Sequence, residues 1–317
     1  MSRKYEIVLE TGSDFTRDLR EKFNLYPEAI ASIIYYPDGT EANGDIDWTN
    51  TTPEEFFARV KKEAGKIKTA FGSYAEFCRV IQPILDEGKD AIIVTISSGL
   101  SGTFQGFRNY AEILLEDYPD RKIEIVDSLK YSTAIALLAT SMAKNRDEKN
   151  MSLEDNVKWA NEARYSLHES GPMDDLKFLS KNGRVSAPKA FFGSLLGMQP
   201  VADFNYKGFT EPLGTLKGAK LTNEVSIKYF AEIGENLDDQ VIFISHSCRE
   251  ERAKLFKEEI LKVCHPRDII ITHLGQLCGP SIGPGLCVIF FYGSKMDENR
   301  TREVEVFNRL SGKNASK

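Results

Sequence analysis

Residues 91–103 constrain this chain more than any other stretch. Ala91-Ile92-Ile93-Val94-Thr95 is apolar and partly β-branched, the pattern of a strand buried on both faces. Phe104 to Leu115 contains no proline and repeats apolar residues at Phe104, Phe107, Ala111 and Leu115, which predicts a helix. Between them lies Ile96-Ser97-Ser98-Gly99-Leu100-Ser101-Gly102-Thr103, rich in small hydroxyl residues and glycine. A strand that ends in such a loop and runs into a helix belongs to an open α/β sheet. Ligands bind there at the carboxyl ends of the strands. Helix N-terminal N–H groups and serine hydroxyls suit a phosphate or a carboxylate. The same stretch also reads as an ordinary helix N-cap with a glycine turn, and taken alone it does not separate the two.

The rest of the first half repeats the theme. Tyr5 to Leu9 reads as a strand and is followed by Glu10-Thr11-Gly12-Ser13-Asp14, with a helix expected from Arg17 to Phe23. Ala29 to Tyr36 reads as one strand, ended by the turn Pro37-Asp38-Gly39. Thr52-Pro53-Glu54-Glu55 and Ser73-Tyr74-Ala75-Glu76 are capping boxes that start helices. Pro83 is expected to bend or end the second of these early. Lys66 to Gly72 reads as irregular. Lys122 to Val126 is a further strand, and Asp127-Ser128 follows it before a helix from Ser132. Alternating strands and helices predict a largely parallel sheet. Its strand ends would bring Glu10, Thr11, Ser97, Ser98, Asp127 and Ser128 to one edge.

The second half reads as another α/β unit. A hairpin is expected around Lys207-Gly208 and helices over Val225 to Ile233 and Glu250 to Val263. Strands are expected over Val241 to His246, Asp268 to Thr272 and Leu286 to Tyr292, with Gly279 to Gly285 as a tight loop. The expected division is residues 1–160, an N-terminal α/β domain, residues 161–295, a C-terminal α/β domain, and residues 296–317, a charged tail. Within that tail Glu303 to Phe307 could add a terminal strand or helix, and no structure is assigned to Asn308 onward.

Several function classes are disfavoured. A net charge of −6 argues against nucleic acid as the main partner. No apolar run is long enough to span a membrane. Cys78, Cys248, Cys264, Cys278 and Cys287 lack metal-site spacing and read as free thiols in a reducing cytoplasm. The four histidines are scattered and form no metal motif. Gly279-Pro280-Ser281-Ile282-Gly283 matches the G-x-S-x-G nucleophile elbow, but a strand-like run follows it where a helix is required. A hydrolase using Ser281 is the alternative reading, and a regulatory protein without lipid is another.

Taken together, these motifs resemble the DegV family over about residues 5 to 293. The carriers are Ile96 to Thr103, Val126-Asp127-Ser128, Leu179-Ser180-Lys181-Asn182-Gly183-Arg184-Val185-Ser186 and Gly283-Pro284-Gly285. Lys68-Thr69-Ala70-Phe71-Gly72-Ser73 stands where the family has a T-S-Q-P-S segment. The resemblance implies a two-domain α/β protein holding one long-chain fatty acid in a tunnel between the domains. It implies a carrier rather than an enzyme, with no cofactor beyond the bound lipid. A separate fatty acid kinase subunit would phosphorylate the carboxylate. Ser97, Ser98, Ser101, Gly102, Thr69 and Ser281 would surround that carboxylate. Glu10, Thr11, Asp127 and Ser128 would form a further shell, and Arg184 and Lys217 would face the partner or the phosphate. Ala190 to Met198 would line the tunnel. Two departures stand out. Ser281 occupies the place of a family histidine, and Lys217-Gly218 stands for an Arg-Gly pair, which removes a bidentate anion contact.

Overall fold

This computed structural model describes residues 4–174, 178, 184 and 197–312. The fold is mixed α/β, and the chain divides into two compact units. One holds Met1–Thr51, Lys66–Arg164 and Gly275–Cys278; the other holds Thr52–Gly65, Tyr165–Leu274 and Gly279–Lys317.

In the first unit β1 (Tyr5–Glu10) is buried along its whole length. It pairs in parallel with β2 (Ala29–Ile30) on one side. A short sheet follows, β3 (Ile33–Tyr35) with β4 (Glu41–Asn43) and, later in the chain, β5 (Lys68–Ala70), all antiparallel. Continuing in order come α1 (Arg17–Lys22), α2 (Pro53–Lys62), α3 (Tyr74–Asp86), β6 (Asp90–Thr95), α4 (Thr103–Leu115), β7 (Ile123–Asp127), α5 (Thr133–Lys149) and α6 (Leu153–Ala163). Of these, α2 belongs to the second unit. The parallel sheet has the order β2-β1-β6-β7. Phe77, Val80, Ile81 and Ile84 of α3 and Phe107, Ala111 and Leu114 of α4 pack on one of its faces with Val8, Ile30 and Ile93. Helix α5 is buried on every side from Thr133 to Thr140, where its sequence is apolar all round, and exposed at its charged end, Asp147 to Lys149.

Three expectations for this unit are corrected. Ala29 to Tyr36 is not one strand but two, in different sheets. The break falls where side chains replace the ladder: Ala31 N donates to Glu76 (3.1 Å) and Ser32 N to Thr11 Oγ1 (3.0 Å). Lys66 to Gly72 is not irregular, because Thr69 pairs with Ile34 in β5. Pro83 does not end α3, which runs on to Asp86. Arg79, whose carbonyl loses its helical partner to Pro83, lies on the exposed side, where water can serve it, while Ile84 and Leu85 anchor the far end.

The second unit contains β8 (Leu167–Ser170), β9 (Met198–Phe204), β10 (Thr210–Lys217), α7 (Ala219–Ile233), β11 (Val241–His246), α8 (Glu250–Val263), β12 (Asp268–His273), α9 (Gly279–Ile282), β13 (Cys287–Tyr292) and α10 (Thr301–Leu310). Its main sheet has the order β12-β11-β13-β8, with β11 and β12 parallel and β13 antiparallel to both neighbours. Strands β9 and β10 form the expected hairpin, turned at Gly208 with φ 78°. Gly279 to Gly285 is not purely a loop, since its first four residues form α9. Residues 296–317 are not merely a charged tail. Helix α10 buries Val306 and Phe307 in the core of this unit, and Gly214 of β10 leaves room for the Phe307 ring, which any Cβ there would overlap.

Candidate functional site

Register decides what the first unit brings together. Leu9 is level with Val94, and Thr95 with Asp127, so β1, β6 and β7 end on the same edge of the sheet. The convergence expected from the sequence is present as hydrogen bonds. Glu10 Oε1 accepts from Ile96 N (3.1 Å) and Oε2 from Gly12 N (2.8 Å). Asp127 Oδ1 accepts from both Ser98 N (3.1 Å) and Leu129 N (3.1 Å). Ser128 Oγ donates to Thr95 O at 2.6 Å, and Ser97 N donates to Lys130 O at 2.8 Å. Thr11 Oγ1 donates to Ser32 Oγ at 2.8 Å.

The serine loop uses most of its own polar groups. Leu100 N and Ser101 N donate to Ser97 O, and Gly99 N donates to Ser97 Oγ. Ser101 Oγ bonds to Thr103 Oγ1 at 2.8 Å and accepts from Thr103 N. The amides of Ser98 to Ser101 are therefore satisfied within the protein. Two hydroxyls stand apart. Ser98 Oγ is exposed and Thr69 Oγ1 half-buried, and neither has a hydrogen-bond partner among the described residues. Phe71, two residues on from Thr69, packs on Gly106 of α4, where a Cβ would overlap its ring. Gly102 is exposed at the helix start.

Buried carboxyl groups set the electrostatics. Glu10 is 2% exposed and Asp14 3% exposed, and neither has an ion pair among the described residues. Burial pushes Glu10 up to about 7, against the two N–H bonds that it accepts. Burial pushes Asp14 up to about 8; the Ser132 hydroxyl, donating to Asp14 Oδ2 at 2.5 Å, opposes the rise and Glu10 adds to it. Cys278 packs against Gly12, and burial drives its thiol well above the usual value. Asp14, Leu129 and Ser132 all hold left-handed φ values, 52°, 54° and 54°. Such backbone is uncommon outside glycine and clusters at functional sites.

Sequence reasoning missed Ser132 and the return of Gly275–Cys278 into this unit. Gly275 lies against Asp14, and Gln276 Oε1 accepts from Asp45 N at 3.1 Å. Nothing local in the sequence marks a segment that joins a sheet formed by residues so far upstream.

The remaining expected residues lie in the second unit. Ser281 is half-buried in α9, and no hydrogen bond joins it to a histidine among the described residues. Lys217 is exposed at the end of β10, and Arg184 is exposed. Apart from Arg184, the Leu179 to Ser186 motif lies outside the described residues, as does the tunnel segment Ala190 to Leu196. His246 and His273, at the ends of β11 and β12, bring their rings to 4.5 Å. Burial, with His273 beside it, lowers His246 to about 4, so that imidazole is neutral at pH 7. Among the described residues no group of three or more His, Cys, Asp or Glu is arranged to hold a metal. Nor is any helix among them long and apolar enough to cross a membrane.

Comparison with known proteins fits this geometry. A DegV domain-containing protein of Clostridium perfringens is 27% identical over 292 residues, covering 92% of this chain and 98% of that one. The solved structure of a DegV family protein from Thermus thermophilus, described as fatty acid binding, is 25% identical with a TM-score of 0.78, covering 92% of this chain and all of that one. A DegV family protein from Eubacterium eligens, loaded with heptadecanoic acid, is 18% identical with the same TM-score of 0.78 and covers 92% of this chain and all of that one. A family model described as "Uncharacterised protein, DegV family" matches residues 4–294. Over that span, with the serine loop seated at the end of β6, the chain belongs to the DegV family.

Proposed function

We propose that this protein binds a long-chain fatty acid, with the carboxyl group at the strand ends of the first unit, and presents it to a separate kinase for phosphorylation. One observation carries the head-group assignment. In a loop that spends most of its polar groups internally, the Ser98 hydroxyl stays exposed and has no partner among the described residues. Thr69 offers a second hydroxyl, and each can donate to a carboxylate, a bond stronger than its neutral counterpart. Ser97, Ser101 and Gly102 shape the loop around that group. The acyl chain would supply most of the affinity, about 0.8 kcal/mol for each CH₂ removed from water. The family membership and the fatty-acid-binding relative from Thermus thermophilus support this ligand class.

No reaction on the lipid is assigned to this chain. The kinase step rests on the resemblance, with Arg184 and Lys217 as the exposed cations facing the partner. Native mass spectrometry of the protein purified from bacteria tests the binding. The expected result is a mass increment of one fatty acid, removed by organic extraction and restored by incubation with stearate. Protein that carries no lipid and takes up none refutes the reading. With a kinase subunit and ATP supplied, Arg184→Ala is expected to keep its lipid and lose most acyl-phosphate formation. Equal phosphorylation of this variant and wild type removes Arg184 from that role.

A further inference from the structure

The two acidic residues at the strand ends hold the serine loop from opposite sides, and they do so with different oxygens. Asp127 takes both of its N–H donors, Ser98 and Leu129, on a single oxygen, Oδ1. Glu10 takes Gly12 N on Oε2 and Ile96 N on Oε1, so both of its oxygens are used. Ile96 and Ser98 flank Ser97, which is fully buried and whose carbonyl anchors the amides of Leu100 and Ser101. The exposed Ser98 hydroxyl is thus carried on a segment fixed at both ends by carboxylates at the ends of the two neighbouring strands, β1 and β7.

From this geometry we infer that Glu10 and Asp127 are positioning residues that place Ser98 for the head group of the ligand, and that Glu10 needs two acceptor oxygens to do so whereas Asp127 needs one. The inference rests on the fatty-acid reading for its consequence, but the brace itself does not. A carboxamide has one acceptor oxygen and one donor nitrogen. Asparagine at 127 can turn its oxygen toward Ser98 N and Leu129 N and keep both bonds. Glutamine at 10 must aim its NH₂ at a backbone N–H, so one bond is lost and two donors meet.

The test compares Glu10→Gln, Asp127→Ala and Asp127→Asn, on the alkaline side of the Glu10 value of about 7 so that the wild-type carboxylate is ionised. Binding is read by titration with a fluorescent long-chain fatty acid. Glu10→Gln and Asp127→Ala should each weaken it about tenfold, the effect of leaving a backbone donor unpaired. Asp127→Asn should recover most of what Asp127→Ala loses. Amide hydrogen exchange on the ligand-free protein gives the second readout. Glu10→Gln should speed exchange at Ile96 or Gly12, and Asp127→Ala at Ser98 and Leu129, with Asp127→Asn restoring protection. Wild-type affinity and protection in Glu10→Gln overturn the assignment of Glu10. Asp127→Asn no better than Asp127→Ala overturns that of Asp127, since volume or charge would then matter rather than the acceptor. If Glu10→Gln does not fold, the Asp127 pair still decides. If wild type binds no fatty acid, the functional reading fails, while the exchange results still judge the brace.

Discussion

Asp203 in the second unit and Glu10 and Asp14 in the first are all buried carboxyl groups, and they are pulled in opposite directions. Asp203, in β9 of the second unit, is fully buried yet surrounded by donors. Its oxygens accept from His168 Nδ1 (2.7 Å), Tyr229 OH (2.6 Å), Glu169 N (2.8 Å) and Phe204 N (2.7 Å). Burial raises its pKa, but the charge and hydrogen bond of His168, with the bonds from Tyr229 and Glu169, together outweigh burial and hold it below the usual value. His168 in turn places Nε2 at 2.7 Å from Ser294 O. Acceptors on both nitrogens favour the ring that donates from both, the imidazolium, and its pKa is raised accordingly. Glu10 and Asp14 of the first unit are equally buried but meet only neutral donors and each other. Burial wins there and both rise. Depth is the same in both cases, and the presence of a cation decides the sign. Fully paired charge fits a structural lock in the second unit. Acid at strand ends with no cation beside it among the described residues fits a site that gives up stability for function.

The largest effect expected from this contrast is in the second unit. His168→Leu leaves Asp203 buried without its cation and should cost about 3–5 kcal/mol by urea denaturation. A loss under about 1 kcal/mol, the range of a surface pair, would break the comparison. The pH dependence has a defined sign. His168 is raised when folded, so its contribution is complete below pH 6.5 and is lost as pH climbs through the raised value. Asp203 is lowered, so its contribution is present above pH 3.8 and is lost as pH falls through the folded value. The lock is therefore strongest between pH 3.8 and 6.5, and His168→Leu should lose most there.

A lone histidine in the sequence carries no trace of that lock. Asp203 lies 35 residues from His168 and Ser294 lies 126 away, and only the sheet brings them together. The first unit was more legible for a physical reason. Long parallel strands such as β1 and β6 announce themselves by apolar runs, and parallel pairing forces their ends to one edge. So Glu10, Ser98 and Asp127 met as expected. Short strands do not announce themselves. Lys68-Thr69-Ala70 becomes β5 only because β3 offers an edge, and Ser32 leaves the ladder only because Thr11 and Glu76 offer other bonds. Glu303 to Phe307 stayed open between strand and helix in the sequence, because what makes it α10 is the partner surface on β10 and α7 that covers Val306 and Phe307. What the serine loop does with its amides was also invisible, since it depends on which oxygen of Asp127 reaches Ser98.

A middle-sized effect sharpens the contrast from the other side. A carboxyl raised by folding binds its proton more tightly in the native state, so wild-type stability should fall as pH rises from 3.8 toward 8. Above about 8 the penalty of the ionised Asp14 is complete. Asp14→Asn keeps an oxygen for the Ser132 hydroxyl and removes the charge. It should be more stable than wild type at alkaline pH by about 2 kcal/mol, with the advantage fading in acid. The opposite pH trend would mean that Asp14 is paired like Asp203, and the two units would no longer differ in kind.

The smallest effect on stability separates the loop's two neighbouring serines. Ser97 is fully buried and its Oγ accepts from Gly99 N at 3.1 Å, so Ser97→Ala should cost about 1 kcal/mol of folding stability through one unmade bond. Ser98 is exposed and its hydroxyl meets nothing among the described residues. Removing it should leave stability within about 0.5 kcal/mol of wild type. If its hydroxyl meets the lipid carboxylate, the same Ser98→Ala change should weaken fatty-acid binding about tenfold, the scale of a hydrogen bond to a charged group. Thermal unfolding and ligand titration on the two alanine variants make the comparison. Ser97→Ala should shift the melting curve, and Ser98→Ala the binding curve. Should both variants melt early and bind normally, the serine loop would be structural like the His168 lock, and the head group would have to sit elsewhere.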